Sequence, residues 1–340
     1  MLWAVRYLTR DFKMEVNKIH NINFLDNTLP DKCANLIIAD PPYFEVKGDF
    51  DFIWKSFDDY LKDVEKWAIE CKRLLADNGT LFWYGHAKNI AYAQVIFDMH
   101  FNLINNLVWD KGSFMGLEES EGLRSFAPCT ERILMYSNER KNYGTRDLLK
   151  IGGLEISPFA RLMKEKMEGL KITGSELAEL QLSKNGNKTG WISNKLSGSE
   201  IPTKEQWELI SKKLLITENY EDLKKQRDIE LDNWLNFQRP FENYFKLQEI
   251  FRFSNEAVKT GAKYDHDTVK PETLTRALII TCSRPNDLVV VPFAGSGTEC
   301  AMAVKEGRKT IGFEITEKHA KMSNDRVQNI LRQPSLFVGS

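Results

Sequence analysis

The segment Asn35–Val46, NLIIADPPYFEV, ends an apolar run on an acid, two prolines and an aromatic ring. Proline fixes its own φ angle, so Asp40, Pro41, Pro42 and Tyr43 should form a stiff tip. The carboxylate of Asp40 and the carbonyl of Pro41 can accept both hydrogens of a planar amine. Tyr43 can stack on the ring that carries this amine. The tip is therefore a candidate site for chemistry on an aromatic amine.

A second candidate site is the glycine turn in VVVPFAGSGTECAMAV, which has the pattern of strand, Gly295-x-Gly297 and helix. Glycines there allow a ligand to approach the backbone, and the helix start offers unpaired N–H groups. Glu314 ends the next apolar run, where an acid can accept hydrogen bonds from ribose hydroxyls. Position 300 is cysteine, so the dinucleotide pattern GxGxxG is absent. A nucleoside with a small charged tail is favoured, and S-adenosylmethionine fits that description.

Both motifs lie in alternating strand and helix patterns, which predict a parallel sheet in an α/β fold. The first block contains strands at 34–39, 80–85, 101–111 and 132–137, with helices at 57–75 and 86–99. The second block contains helices at 271–283, 299–307 and 316–331, with strands at 287–293 and 309–314. The pattern is lost between about 145 and 255, which predicts one sheet built from both ends of the chain around an insertion.

Composition excludes several classes of protein. The 340 residues are 42% hydrophobic and carry a net charge of −1, which is typical of a globular protein without a global nucleic-acid footprint. No apolar run approaches the length of a membrane span. The five cysteines form no CxxC pair, so we expect reduced thiols, no metal site and a cytoplasmic protein.

The motifs DPPY, HDTVKPETLTRALI and FAGSGT together resemble those of the beta-class DNA amino-methyltransferases, over roughly residues 18–138 and 260–325. These enzymes transfer a methyl group from S-adenosylmethionine to adenine N6 or cytosine N4. The resemblance implies a Rossmann-like methyltransferase sheet with a mainly helical inserted domain. It divides the chain into a catalytic half at 14–145, an inserted target-recognition region at 146–255 and a cofactor-binding half at 256–331.

The resemblance also assigns roles to residues. Asp40, Pro41, Pro42 and Tyr43 would be catalytic and would clamp a base flipped out of the duplex. Glu314 would bind the cofactor ribose, and the remaining cofactor-binding positions would be Phe293, Gly295, Ser296, Gly297, Thr298, Lys270, Pro271 and Thr273. Lys270 is either a partner of the methionine carboxylate or a solvated lysine.

Four further positions belong to this interpretation. Phe44 would add an apolar wall for the base, and Lys111 would lie near the DNA. Trp109 is either near the substrate or in the core. Glu131 occupies a place where the family often has an acid.

The family's usual GD element before DPPY is absent from KIHNINFLDNTLPDK, so the adenine of the cofactor would be contacted by Asn21 or Asn23, near Asp26.

Residues 171–215 resemble a helix-turn-helix, with TGSELAEL as first helix and TGWISNKL as recognition helix. Ser175 would cap the first helix, and Pro202 would begin a third. Three lysines and no acid occur between residues 181 and 199, which indicates a local DNA-binding patch. The candidate DNA contacts are Lys184, Lys188, Thr189, Trp191, Ser193, Asn194 and Lys195, and Asn187 is a further candidate.

The sequence therefore favours a site-specific methyltransferase acting on adenine N6 in double-stranded DNA, since the family's cytosine enzymes more often begin the motif with serine. Cytosine N4 remains an alternative, as do a DNA-binding regulator with an inactive methylase fold and methylation of RNA or protein. A homodimer and a cognate restriction enzyme are both compatible with the family. The pair Pro128-Cys129 resembles C5-cytosine methyltransferases, but no ENV follows, so Cys129 is interpreted as structural.

Overall fold

The computed structural model describes residues 13–46, 51, 53–112, 126, 129–138, 157–183, 185–253 and 269–332. For residues 235–237 it describes the backbone alone. The described residues divide into two compact units, with boundaries after residues 142 and 238. The first unit contains both ends of the chain, and the second contains most of the predicted insertion.

The first unit is built around one sheet of eight strands. These strands are β1 (Lys18–His20), β2 (Ala34–Ala39), β3 (Leu75–Gly85), β4 (Asn102–Asp110), β5 (Thr130–Ser137), β6 (Ile250–Arg252), β7 (Leu288–Val291) and β8 (Lys309–Phe313). Their order across the sheet is β1-β8-β7-β2-β3-β5-β4-β6. Strands β7 and β8 of the second sequence block thus lie between β1 and β2, so the sheet is built from both ends of the chain.

The sheet is mixed, whereas the alternating pattern of strands and helices predicts a fully parallel sheet. Strand β5 runs antiparallel to both β3 and β4, whereas the other neighbours pair in parallel. Apolar periodicity encodes which residues are buried but not the direction of a strand, so it does not reveal this reversal. The mixed arrangement confirms an α/β fold with one antiparallel strand in its sheet.

Five α-helices are described in this unit: α1 (Phe57–Leu74), α2 (Ile90–Asp98), α8 (Glu272–Cys282), α9 (Thr298–Lys305) and α10 (Glu317–Arg332). A short 3-10 helix, Phe24–Asp26, lies between β1 and β2. Helix α1 begins where the Ser56 hydroxyl accepts a hydrogen bond from the backbone N–H of Asp59. Its apolar residues recur every three or four positions and are buried on one face. Two apolar clusters cover the two faces of the sheet, one including α1 and α2 and the other α8, α9 and α10.

Three details of this unit differ from the expected elements. Strand β3 begins at Leu75, whereas the sequence pattern predicts a strand that begins at residue 80. The short strands β1 and β6 carry too few residues for a periodic signal. Because β6 pairs with β4 in this sheet, Ile250–Arg252 belongs to the first unit, and the expected boundary at 255 lies too late.

The described part of the second unit contains five helices: α3 (Pro158–Leu170), α4 (Gly174–Ala178), α5 (Trp191–Ser197), α6 (Lys204–Leu214) and α7 (Tyr220–Phe237). Its own apolar core includes Phe159, Met163, Leu177, Trp207 and Ile210. Helix α3 packs against α5, α6 and α7, and α4 packs against α5. This unit is mainly helical, as expected.

The helix starts in this unit differ from the predicted ones by one or two residues. Thr173, not Ser175, caps α4, and it forms a capping box with Glu176. Thr203 caps α6, so Pro202 precedes the helix instead of occupying its first turn. Between α4 and α5, an antiparallel bridge joins Leu182 to Lys188, so the two helices are not joined by a tight turn.

Among the helices of the described residues, none combines the length and the apolar character that a membrane span requires.

Candidate active site

The acid-proline-proline-tyrosine tip begins directly after β2, at the carboxyl edge of the sheet. Two buried side chains fix the backbone of this tip. Asp51 accepts a hydrogen bond from the Tyr43 N–H at 2.5 Å, and the Asn89 amide donates to the Phe44 carbonyl at 2.9 Å. Pro41 is buried and supplies rigidity of its own. The tip is therefore held by contacts that its own sequence does not reveal.

Both carboxylate oxygens of Asp40 are hydrogen-bonded. The Tyr43 hydroxyl donates to Oδ1 at 2.5 Å, and the Lys270 Nζ donates to Oδ2 at 2.5 Å. The Lys270 side chain is 6% exposed and that of Asp40 is 19% exposed, so this ion pair is largely shielded from water. Lys270 thus contacts the acid of the catalytic motif, a position that neither sequence interpretation of this lysine anticipates.

Lys270 and Asp40 belong to a row of four alternating charges. Nζ of Lys270 lies 3.6 Å from Oε2 of Glu131, and Nζ of Lys111 donates to Oε1 of Glu131 at 3.0 Å. The side chains of Glu131 and Lys111 are 14% and 19% exposed. The two lysines balance the two acids, which makes burial of the group tolerable.

Burial and neighbouring charges shift the pKa values within this row. Burial raises the pKa of Asp40 above its ordinary value, although Lys270 acts in the opposite direction. Burial alone would lower the pKa of Lys270, but Asp40 and Glu131 raise it overall. For Glu131, the two lysines outweigh burial and lower the pKa. Lys270 is therefore the main group that opposes protonation of Asp40, and the hydrogen bond from Tyr43 acts in the same direction.

The glycine loop between β7 and α9 is held by α10. Gly297 has φ +72°, a left-handed conformation that favours glycine, and an added Cβ would lie 2.7 Å from Cβ of Ser323. The Ser323 hydroxyl donates to the Gly295 carbonyl at 2.6 Å. The Arg326 guanidinium donates to the Ser296 carbonyl at 3.2 Å and to Oγ1 of Thr298 at 2.8 Å. These contacts set the shape of the loop.

One cavity of about 600 Å³ joins the two motifs within the first unit. It brings together most of the predicted site residues: Asp40, Pro41, Pro42, Tyr43, Lys111, Lys270, Phe293, Gly295, Ser296 and Glu314. The volume suits a nucleoside-sized ligand. The acid-proline-proline-tyrosine tip and the glycine loop therefore face a shared space, as the order of motifs implies.

Among the site residues predicted within the first unit, five do not line this cavity: Phe44, Gly297, Thr298, Pro271 and Thr273. Phe44 is 9% exposed and packs in the core against the rings of Phe57 and Tyr60, so it is not the expected wall for a base. Pro271 caps α8, and Thr273 is exposed. Gly297 and Thr298 contribute by shaping the loop.

The expected ribose contact, Glu314, lines the cavity beside the glycine loop. Glu314 accepts hydrogen bonds from the backbone N–H groups of Gly295 and Thr316, at 2.9 and 2.8 Å. Asn23 lines the cavity, whereas the Asn21 amide donates to the carbonyls of Glu314 and Ile315. Of the two candidates for the adenine contact, Asn23 is the one that lines the cavity.

Trp109 combines the two roles that its sequence leaves open. It is 2% exposed and donates from Nε1 to the Phe253 carbonyl at 2.9 Å, yet it also lines the cavity.

Cys129 is exposed and does not line the cavity. Nowhere in the described ranges do three or more His, Cys, Asp or Glu side chains gather as a metal site requires.

Sequence reasoning misses several residues of this site. Asp51, Ser323 and Arg326 support its loops, and Glu299 lines the cavity while being 5% exposed. An acid is rarely so buried without a partner, but burial cannot be read from GSGTEC alone. The sequence indicates a role for Glu299 in the site only through its position directly after the glycine motif.

The predicted DNA contacts in the second unit lie on and before α5. Thr189, Ser193 and Asn194 are exposed, whereas the Trp191 indole donates to the Ala178 carbonyl at 3.3 Å and holds α5 to α4. Asn187 is also exposed. Lys184 lies outside the described residues. Helix α5 thus presents short polar side chains to solvent.

The lysines of this segment are paired with acids that flank it. Lys195 is 8% exposed and forms an ion pair with Glu200, and Lys188 lies 2.7 Å from a carboxylate oxygen of Glu179. Counting charges between residues 181 and 199 leaves out both acids. Lys195 is therefore not part of an open positive patch, whereas Lys188 is half exposed and stays a candidate DNA contact.

A mixed α/β sheet with a nucleoside-sized cavity between a glycine loop and a DPPY tip defines a methyltransferase-type site. The sequence model of the N6/N4 DNA methylase family matches residues 34–325. The chain belongs to this family, with the catalytic block before the cofactor block. It is accordingly a DNA methyltransferase that depends on S-adenosylmethionine, and the glycine loop and Glu314 fit that cofactor.

Individual relatives agree with this assignment. The chain is 27% identical to the type II methyltransferase M1.MboII of Moraxella bovis, over 92% of this chain and 96% of that protein. It is 26% identical to the DNA adenine methyltransferase YhdJ of Escherichia coli K12, over 88% of this chain and 78% of that protein. A solved structure of the PvuII DNA methyltransferase, which is cytosine-N4-specific, shares the fold with a TM-score of 0.50 and 13% identity over 94% of this chain and 95% of that one.

We expect Gly297→Ala to lower the free energy of unfolding by about 2–4 kcal/mol, because left-handed backbone and overpacking both penalise the new methyl group. Gly307→Ala is the matched control, since Gly307 has φ +75° but open space around its Cβ. It should cost only about 1–2 kcal/mol, the backbone penalty by itself. Urea unfolding of both variants measures the difference, and equal losses would contradict the role assigned to Ser323.

Proposed function

We propose that this enzyme methylates adenine N6 in double-stranded DNA. The observation that carries this proposal is the carboxylate of Asp40 at the first position of the tip, on the wall of the cavity that also contains the glycine loop. A carboxylate and a backbone carbonyl suit the two hydrogens of an exocyclic amine. The name of the relative YhdJ, a DNA adenine methyltransferase, supports adenine. We propose the cytoplasm as the place of action, as the scattered cysteines suggest.

The target base would be flipped out of the duplex to reach this cavity, since its amine cannot react inside the base stack. Tyr43 would stack on the flipped base, and its hydroxyl would leave Oδ1 of Asp40. An amine hydrogen would take that place, and the second amine hydrogen would be accepted by the carbonyl of Pro41. Lys270 would remain on Oδ2 and keep the carboxylate ionised. The stiff tip makes this arrangement ready before the base arrives.

When bound, S-adenosylmethionine supplies an activated methyl group, so the protein needs no nucleophile of its own. The residues of the tip then have to orient the amine nitrogen and exclude water. An aryl amine is a weak nucleophile because its lone pair is delocalised into the ring. Two hydrogen bonds to Asp40 and Pro41 would hold the nitrogen toward a pyramidal geometry and direct the lone pair at the methyl group.

We further propose that the second unit, 143–238, selects the DNA sequence, with Thr189, Ser193 and Asn194 reading base edges. Short polar side chains on an exposed helix start are suited to such contacts. The acids that pair with Lys188 and Lys195 argue for readout by these polar groups rather than by a strong lysine patch.

The reaction and its catalytic residue can be tested together in an expressing strain. Genomic DNA is sequenced with a method that reports modified bases, for the unchanged protein, Asp40→Asn and the exposed control Asp77→Asn. We expect one sequence motif with N6-methyladenine, which is lost only in Asp40→Asn. The purified Asp40→Asn enzyme should have a kcat that is reduced by at least about 10²-fold, because the amine is no longer positioned.

Two other results of this experiment would be informative. N4-methylcytosine in the motif would reject adenine in favour of the cytosine alternative. The absence of any modified motif, with the unchanged protein expressed and folded, would contradict the proposed activity on DNA as a whole.

If α5 contacts DNA, Ser193→Glu should weaken binding to the sequence motif that the enzyme methylates, because it places a negative charge against the DNA. Gln226→Glu adds the same charge to an exposed position of α7 and serves as the control. Binding of labelled duplexes is measured for both variants at one salt concentration. Equal affinity of the two variants for the motif would argue against recognition by α5.

A further inference from the structure

Glu299 is a buried acid for which the proposed reaction has no use. It lies in the first turn of α9, directly after the glycine loop, and is 5% exposed. It lines the same cavity as Asp40, Lys270, Gly295 and Ser296. A carboxylate in such a position usually has partners that compensate for its lost hydration.

One oxygen of this carboxylate lacks such compensation. Within the described part of the chain, Oε1 of Glu299 is buried and has no hydrogen-bond partner. Leaving a buried charged acceptor unpaired is costly, and native structures seldom do so without a functional reason. Oε1 of Glu299 therefore lacks a hydrogen-bond donor, and a ligand in the cavity is the natural source.

The charges of the neighbours indicate what kind of donor is required. Asp40 and Glu131 are balanced by Lys270 and Lys111, and Arg326 forms an ion pair with Glu272. Glu299 is in none of these pairs. Burial, together with the charge of Asp40, raises the pKa of Glu299 to about 7. The cavity is thus suited to one additional positive charge that carries N–H groups.

We propose that Glu299 binds the α-ammonium group of the methionine part of S-adenosylmethionine. This inference rests on the cofactor dependence of the proposed function. The cofactor has two positive groups, but its sulfonium has no N–H to donate, whereas the ammonium has three. The target amine is a weaker candidate, because it is neutral and its two hydrogens are already assigned to Asp40 and the carbonyl of Pro41.

The assignment divides the cofactor between three parts of the chain. Glu314 would hold the ribose, the glycine loop would pass close to the connecting atoms, and Glu299 would fix the amino-acid end. A charge-assisted hydrogen bond at this end would position the methyl group relative to Asp40. Glu299 is thus a determinant of affinity for the amino-acid tail, not a residue that takes part in methyl transfer.

The test is a binding cycle with S-adenosylhomocysteine and its deamino analogue, in which hydrogen replaces the ammonium group. Both ligands are titrated by calorimetry, without DNA, into the unchanged protein, Glu299→Gln and the exposed control Glu317→Gln. The unchanged protein and the control should prefer the amino ligand by about tenfold or more, since a charged hydrogen bond is lost with the analogue. In Glu299→Gln this preference should lose most of its size, because the amide oxygen is a neutral acceptor, while affinity for the analogue stays the same and shows that the variant is folded.

The possible failures are distinguishable. If Glu299→Gln keeps the full preference for the amino ligand, the assignment of Glu299 is wrong and the proposed function stands. If Glu299→Gln binds both ligands more weakly by the same factor, the carboxylate supports the fold of the loop and not the ammonium. If the unchanged protein binds neither ligand, the proposed function fails, and this inference fails with it.

Discussion

The ion pair between Lys270 and Asp40 joins two segments that are 230 residues apart in the chain, and the rest of the site depends on it. Both side chains are largely buried, so neither charge would be stable there without the other. They meet because β2 lies beside β7 in the sheet, which brings the DPPY tip next to the segment that leads into α8. The sheet order is thus a condition for the chemistry.

The same pair links the electrostatics of the site to its mechanism. In the proposed reaction Asp40 is ionised and accepts one amine hydrogen, but burial favours its protonated form. Lys270 opposes this tendency, and Glu131 holds Lys270 in place while it also binds Lys111. Glu131 therefore has a definable role as the acid that positions two lysines. The three residues come from different parts of the sequence, and only together do they keep Asp40 ready.

Much of the first unit could be predicted from sequence because its signals are local. The apolar run before Asp40, the glycine turn and the periodicity of α1 each lie within a short window. The direction of β5, the contacts of Arg326 with the glycine loop and the partner of Lys270 could not be predicted. Each depends on residues that become neighbours only through the fold, and Lys270 illustrates this most clearly.

The second unit shows the same limit at short range. The three lysines between residues 181 and 199 predict a positive patch, but Glu179 and Glu200 lie just outside that window and pair with Lys188 and Lys195. Net charge in a window measures composition, whereas an open patch depends on which side chains meet. The helix starts differ for a related reason, because Thr173 and Ser175 are equally good caps by residue type and the fold chooses between them.

The dependence of Asp40 on Lys270 is tested most directly by the pH profile of single-turnover methyl transfer, with saturating cofactor and DNA, for the unchanged enzyme and Lys270→Met. The rate should fall as the pH decreases through the pKa of Asp40. The protonated carboxyl cannot accept hydrogen bonds from both the target amine and Lys270, as the ionised carboxylate can. Removal of Lys270 takes away the charge that lowers this pKa, so the acid limb should move to higher pH. An acid limb at the same pH in both enzymes would contradict the account, since Lys270 would then have no influence on the ionisation of Asp40.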